Sequence, residues 1–320
     1  MKKLLTSILL INISLFIYSF IPGDSDTYTP PEGKFITLNG YKYWVETEGQ
    51  GEPIFFIPGG PGNNHAYLHG YHALKDSFQL VYMDFLGRGK SDTAKMRSEY
   101  TVANDVEQLE GMRKALKLEK ITVLGHSYGS LVAQAYAIKY PQNTKRLIIA
   151  DGFHSAWMWQ ENCDNSNRCI KSGYPEVWEK LMKIRSEGAV SMDTAHQNLY
   201  GKVPYGFLYS FNPTLRFPLP KDHQTTMSSI VYYQMVGRDG DFIIGGDLAN
   251  FDVRTQLKDL KMPVLILAGR YDRVSTPEMA LLYKKYCPQA QLVMFERSGH
   301  NPQVEEPEKT LKTVRAFLKK

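Results

Sequence analysis

Along residues 34–150, short apolar runs alternate with stretches whose apolar positions recur at helical spacing. The runs 34–38 and 41–46 flank Asn39-Gly40. That dipeptide tolerates positive φ at both positions, so the two runs are expected to pair as an antiparallel hairpin. Residues 53–57 form a continuous apolar run, the pattern of a strand covered on both faces, and end in Pro58-Gly59-Gly60-Pro61-Gly62. A strand over 78–84 follows. Over 102–118, Val102, Val106, Leu109, Met112 and Leu116 recur with the period of a helix. Then come a strand over 121–125, a helix over 131–140 stopped by Pro141, and a strand over 145–150. This order predicts an α/β fold with a mostly parallel sheet flanked by helices.

The alternation lapses over 153–246, which is rich in Trp, Tyr, Phe, Met and Pro and shows only helix fragments, at 175–185 and 225–235. It resumes with a strand at 263–268, a helix at 277–286, a strand at 291–295 and a helix at 307–318. The simplest organisation is one sheet domain in two pieces, 34–152 and 247–320, with a helical lid, 153–246, inserted between them. Residues 24–33, rich in Asp, Thr, Pro and Gly, read as an exposed linker. Ahead of them, Lys2 and Lys3 precede an apolar stretch over 4–21. That is the layout of a secretory signal, here within residues 1–23. No clear Ala-x-Ala site follows, so an uncleaved membrane anchor is the alternative to a secreted or periplasmic chain.

Composition changes the picture little. The chain has 320 residues, 43% of them hydrophobic and 12% aromatic, which suits a globular enzyme. The net charge of +5 is spread along the sequence without a run of Lys and Arg, so a nucleic-acid partner is not expected. Cys163 and Cys169 fall in a polar stretch that reads as a loop. In an oxidising compartment they are expected to form a local disulfide, stabilising by about 2–3 kcal/mol on the chain-entropy model; two free thiols are the alternative. Cys287 reads as a plain buried thiol. His65, His69, His72, His154, His196 and His223 are scattered without metal-ligand spacing, so no metal and no cofactor are expected.

Candidate chemistry centres on Gly125-His126-Ser127-Tyr128-Gly129. The first Gly ends a predicted strand and a helix begins just beyond the second. A serine on so tight a turn is lifted clear of the sheet, next to the free N–H groups of a helix start. A serine nucleophile needs a base, and the base needs an orienting carboxylate. In chain order these should follow the next strands. Asp272 is the one acid in the loop after 263–268, and His300 lies in the loop after 291–295. All three fall at carboxyl ends of strands, where open α/β sheets place their sites. Oxyanion donors are expected from the backbone N–H of Tyr128 and of Gly60, with Gly59 beside the substrate. Gly87-Arg88-Gly89-Lys90-Ser91 lacks the leading Gly of a phosphate loop, Asp84 standing in its place, and reads as a structural turn. His126 is read as a packing residue.

These stretches resemble the prolyl aminopeptidase (proline iminopeptidase) group of the α/β-hydrolases. Gly59-Gly60-Pro61-Gly62 is similar to its His-Gly-Gly-Pro-Gly motif, with Pro58 in place of the His. Met83 to Ser91 matches the group's Asp-x-Arg-Gly-x-Gly-x-Ser loosely, Leu86 replacing the Arg. A third likeness runs from Met235 to Gly269. The resemblance implies an α/β-hydrolase fold and an acyl-enzyme mechanism on a small peptide or amide, releasing an N-terminal residue such as proline. In the group, lid glutamates receive the substrate's amino terminus, one of them in Gly-Pro-Asn-Glu-Phe. The corresponding Gly237-Arg238-Asp239-Gly240-Asp241-Phe242 is one residue longer and offers Asp241, with Arg238 nearby. A solvated turn is the alternative for Asp241, and Glu161, Glu179 and Glu187 are further lid acids. The same machinery also suits a carboxylic ester or lactone, since fold does not set substrate. A non-catalytic binding protein on this fold is the reading from another class.

Overall fold

A computed structural model describes residues 28–320. Its eight strands are β1 (Gly33–Leu38), β2 (Tyr41–Glu48), β3 (Glu52–Ile57), β4 (Phe78–Met83), β5 (Ile121–His126), β6 (Thr144–Ala150), β7 (Val264–Gly269) and β8 (Gln291–Phe295). They form one sheet in the order β1-β2-β4-β3-β5-β6-β7-β8. β1 and β2 form an antiparallel edge against β4, and the other pairings are parallel. The hairpin closes with Leu38 opposite Tyr41, and both turn residues take positive φ, 51° at Asn39 and 83° at Gly40.

The apolar runs lack a polar face because both faces of the sheet are covered. Phe55, Ile57 and Val123 point into one core, while Ile54, Phe56 and Leu124 point into the other. Helices α1 (Val102–Ala115) and α2 (Gly129–Lys139) cover the first face. Between β6 and β7 lie α3 (Ala156–Gly173), α4 (Pro175–Ser186), α5 (Thr194–Tyr200), α6 (Tyr205–Tyr209) and α7 (Ser229–Val236), then α8 (Arg254–Leu257). α9 (Pro277–Tyr286) follows β7, and α10 (Pro302–Glu305) and α11 (Pro307–Leu318) follow β8. α11 and a 3-10 segment, Ala66–Asp76, cover the second face through Val314, Phe317, Leu68 and Tyr71.

Three expectations are corrected. The polar stretch around Cys163 and Cys169 is the interior of α3, not a loop. Ser155 caps that helix by accepting from Met158 N–H, and Met158, Trp159, Cys163, Ser166, Asn167 and Ile170 form its buried stripe at helical spacing. Cys163 and Cys169 are both free, because six positions along a helix place them on different faces. The helix expected from 225 starts only at Ser229, where the Ser228 side chain accepts from Val231 N–H. Met227 instead bridges to Asn63. Of the described residues in the expected linker, Thr29 and Glu32 are exposed, and Tyr28 is buried against His69, His72 and Phe217. The apolar leader lies outside the described residues. Among those described, no helix is long and apolar enough to cross a membrane.

Candidate active site

Ser127 sits between the end of β5 and the start of α2 with φ of 54°, in the left-handed region. For a residue with a Cβ, that conformation stores about 1–3 kcal/mol. The surroundings enforce it by close approach. A Cβ on Gly125 would lie 2.2 Å from the Gly129 carbonyl oxygen, and one on Gly129 would lie 2.1 Å from that of Ile57. Ser127 N–H donates to Ala150 O at the end of β6 (2.9 Å), tying the turn to the sheet.

Asp272 and His300 meet beside this turn. Asp272 Oδ1 accepts from the N–H groups of Val274 (2.8 Å) and Ser275 (3.0 Å), and Oδ2 lies 2.7 Å from His300 Nδ1. A carboxylate only accepts, so the ring proton sits on Nδ1 and the Nε2 lone pair is free. Nε2 is buried without a hydrogen-bond partner among the described residues. Burial lowers the His300 pKa to about 3. A second acid, Asp151, was not legible in the sequence. Its carboxylate lies within 4.8 Å of Asp272 and His300, accepts from Gly269 N–H (2.9 Å), and its own φ is 46°. Burial, and then the Asp272 charge, push Asp151 well above the carboxylate range. Asp272 is also pushed up by burial, but the Val274 and Ser275 N–H groups oppose this. Asp272, which accepts from two N–H groups and faces His300, therefore keeps the charge, and Asp151 holds the proton.

The Gly59-Gly60 loop packs directly on Ser127: a Cβ on Gly59 would stand 2.6 Å from Ser127 Cβ. Gly59 N–H donates to the Tyr67 hydroxyl, which lies 2.8 Å from His126 Nδ1, while His126 Nε2 lies 2.7 Å from His300 O. Because the carbonyl accepts, His126 donates from Nε2 and receives the Tyr67 proton at Nδ1. Burial, and then the neighbouring His300, lower the His126 pKa to about 3, keeping it neutral. His126 thus braces the glycine loop against the His300 loop, consistent with a packing role. Arg88 braces the other side. It donates to Pro61 O and makes a bidentate pair with Asp105 (2.9 and 2.8 Å), whose Oδ2 also accepts from the Tyr128 hydroxyl (2.8 Å). The Gly87–Ser91 stretch is accordingly a structural turn beside the site.

The α/β hydrolase fold family model matches residues 52–181 and 216–307. The chain belongs to this family. A proline iminopeptidase from Heyndrickxia coagulans is 31% identical over 275 residues, covering 85% of this chain and 92% of the relative. One from Saccharolobus solfataricus is 30% identical over 307 residues, covering 89% and 96%. The crystal structure of the Mycobacterium smegmatis proline iminopeptidase superposes with a TM-score of 0.72 at 22% identity, covering 90% and 97%, a likeness that speaks for the fold. The chain is thus a hydrolase resembling the prolyl aminopeptidases.

In this hydrolase Ser127, His300, Gly59 and Gly60 open onto one cavity of about 540 Å³. Trp159, Tyr205, Tyr209 and Tyr232 supply much of its wall, with Tyr205 and Tyr209 stacked at 4.1 Å. Asp241 does not reach that wall. Tyr232 interposes and donates to Asp241 Oδ1 (3.2 Å), and burial raises the Asp241 pKa to about 6. Arg238 turns to Met192, and Arg185 pairs with Asp239. Glu305, which the sequence reading passed over, is the acid on the wall among the described residues; it accepts from Asn212 and Gly299 N–H groups (2.7 Å each). The histidines also depart from expectation. His65 and His69, four residues apart, and the distant His223 converge with Glu46.

Proposed function

We propose that this hydrolase is a serine enzyme acting through an acyl-enzyme, and that its substrate is a short peptide or amide from which it releases an N-terminal residue such as proline. The observation that carries the mechanism is the free Nε2 of His300, held by Asp272 and opening onto the same cavity as Ser127 in its left-handed turn. Ser127 Oγ attacks the carbonyl carbon as His300 Nε2 takes its proton. His300 then returns the proton to the leaving amine, and water repeats the sequence to release the acid. Asp272 holds the imidazole and balances its charge. Gly60 and Tyr128 N–H groups receive the oxyanion; Gly59 N–H is already spent on Tyr67. The names of the relatives and an aromatic wall suited to a compact apolar group support the aminopeptidase reading. Glu305 offers the substrate amine a carboxylate on the wall, with Asp241 behind Tyr232. The segment 153–246 serves as the lid, and the leader directs export.

The test is a panel of proline and alanine anilides, nitrophenyl esters and lactones, with Ser127→Ala as control. Proline anilide should be turned over, and Ser127→Ala should lose about 10⁶-fold in kcat. Turnover of esters alone would overturn the peptidase reading; activity surviving in Ser127→Ala would overturn the mechanism.

A further inference from the structure

Four side chains from three parts of the chain converge beside β2. Glu46 lies on β2, His65 precedes the 3-10 segment Ala66–Asp76, His69 lies within it, and His223 comes from the stretch between α6 and α7. Glu46 Oε2 is 3.0 Å from His69 Nε2, 3.2 Å from His65 Nε2 and 3.3 Å from His223 Nε2. The Nε2 atoms of His69 and His223 are themselves 3.2 Å apart. Glu46, His65 and His69 are buried, and the His223 side chain is only 10% exposed. Around a tetrahedral ion with bonds of about 2.0–2.1 Å, neighbouring ligand atoms stand about 3.3–3.4 Å apart. The separations observed here lie close to that edge length.

The outer hydrogen bonds orient the rings. His65 Nδ1 lies 2.7 Å from Asp84 Oδ1, which only accepts, so a proton sits on Nδ1 and Nε2 is the nitrogen turned towards Glu46. His69 Nδ1 lies 2.9 Å from the Tyr28 hydroxyl, and its Nε2 lies 3.0 Å from Glu46 Oε2, which only accepts, so Nε2 carries a proton that a metal ion would replace. Imidazole nitrogens of His65, His69 and His223 and a carboxylate oxygen of Glu46 thus face one another in a buried space. A carboxylate buried there needs positive charge beside it, which protons on the rings or a metal ion supply. His65 Nε2 in fact makes no hydrogen bond. Carboxylate or hydroxyl partners on the far nitrogens are the outer shell that metal-binding histidines use to fix ring and tautomer.

We propose that Glu46, His65, His69 and His223 bind one zinc ion. Three imidazoles and one carboxylate suit zinc, and four protein ligands leave no open position, so the site is structural and not a second reaction centre. Its consequence is mechanical. Three ligands belong to the sheet and its adjoining segment, whereas His223 belongs to the stretch between β6 and β7. The neighbouring Gln224, Thr225 and Met227 line the cavity that holds Ser127. Zinc therefore fastens this stretch to the sheet and sets one wall of that cavity. The inference does not depend on the role of Ser127.

The test uses the full chain, purified without a polyhistidine tag and stripped with a chelator. Zinc is titrated against a chromophoric chelator, cobalt binding is followed by visible absorption, and Tm is measured with and without zinc. One zinc per chain, the intense visible bands of tetrahedral cobalt and a higher Tm with zinc are expected. His223→Ala removes the ligand nearest the surface, so it should keep the far-ultraviolet circular dichroism of the native chain and lose about 100-fold or more in zinc affinity. A folded native chain that takes up no zinc would overturn the proposal, as would a His223→Ala variant that binds zinc as tightly as the native chain.

Discussion

Ser127 is held by its neighbours' lack of side chains. Gly59, Gly125 and Gly129 each stand where a Cβ would meet backbone or the Ser127 side chain. Gly40, unlike these three, has positive φ, but a Cβ there would meet nothing within 4 Å. The two kinds of glycine predict different losses. Gly59→Ala pushes on Ser127 Cβ and should cost about 100-fold in kcat, because displacing a reacting group by about 1 Å costs that much. Gly40→Ala should lower stability by about 1 kcal/mol and leave kcat unchanged. Steady-state kinetics and urea unfolding of both variants check this; equal kcat losses would contradict it. Ser127, Asp272 and His300 were legible because motif and chain order name them. Asp151 and Tyr67 were not, because each acts through a neighbour distant in sequence.

At the level of elements, uninterrupted apolar runs identified the central strands, and α9, β8 and α11 fall where their periodicity put them. α3 was missed because it carries the run Asp164-Asn165-Ser166-Asn167, residues that favour caps and turns in isolation. Its buried stripe, packed on the core that includes Leu248 and Val236, outweighs that preference. The helix predicts the state of the thiols. The chain, denatured without reductant and alkylated, should gain three labels by mass spectrometry, one for each of its three cysteines. A gain of one label would show Cys163 and Cys169 joined and would mean that α3 unwinds between them.

Across the whole molecule, buried polar contacts hold the site together. Arg88 touches Pro61, Asp105 and Met235, joining the glycine loop, α1 and α7. Arg88→Met leaves Asp105 buried without its partner and should cost about 3–5 kcal/mol in urea unfolding, with much of it recovered in the Arg88→Met, Asp105→Leu double variant. Additive losses would refute this account. By itself, the sequence determined the strand order along the chain, the Asn39-Gly40 hairpin, and the placement of Ser127, Asp272 and His300 at strand ends, because these depend on periodicity, turn chemistry and chain order. Tertiary structure alone decided that α3 is a helix, that Asp241 stands behind Tyr232, that Asp151 lies beside Asp272, and that Glu46 gathers three histidines. Each of these depends on which side chains from distant segments share a buried volume, where a polar group must find its partner wherever the packing supplies one.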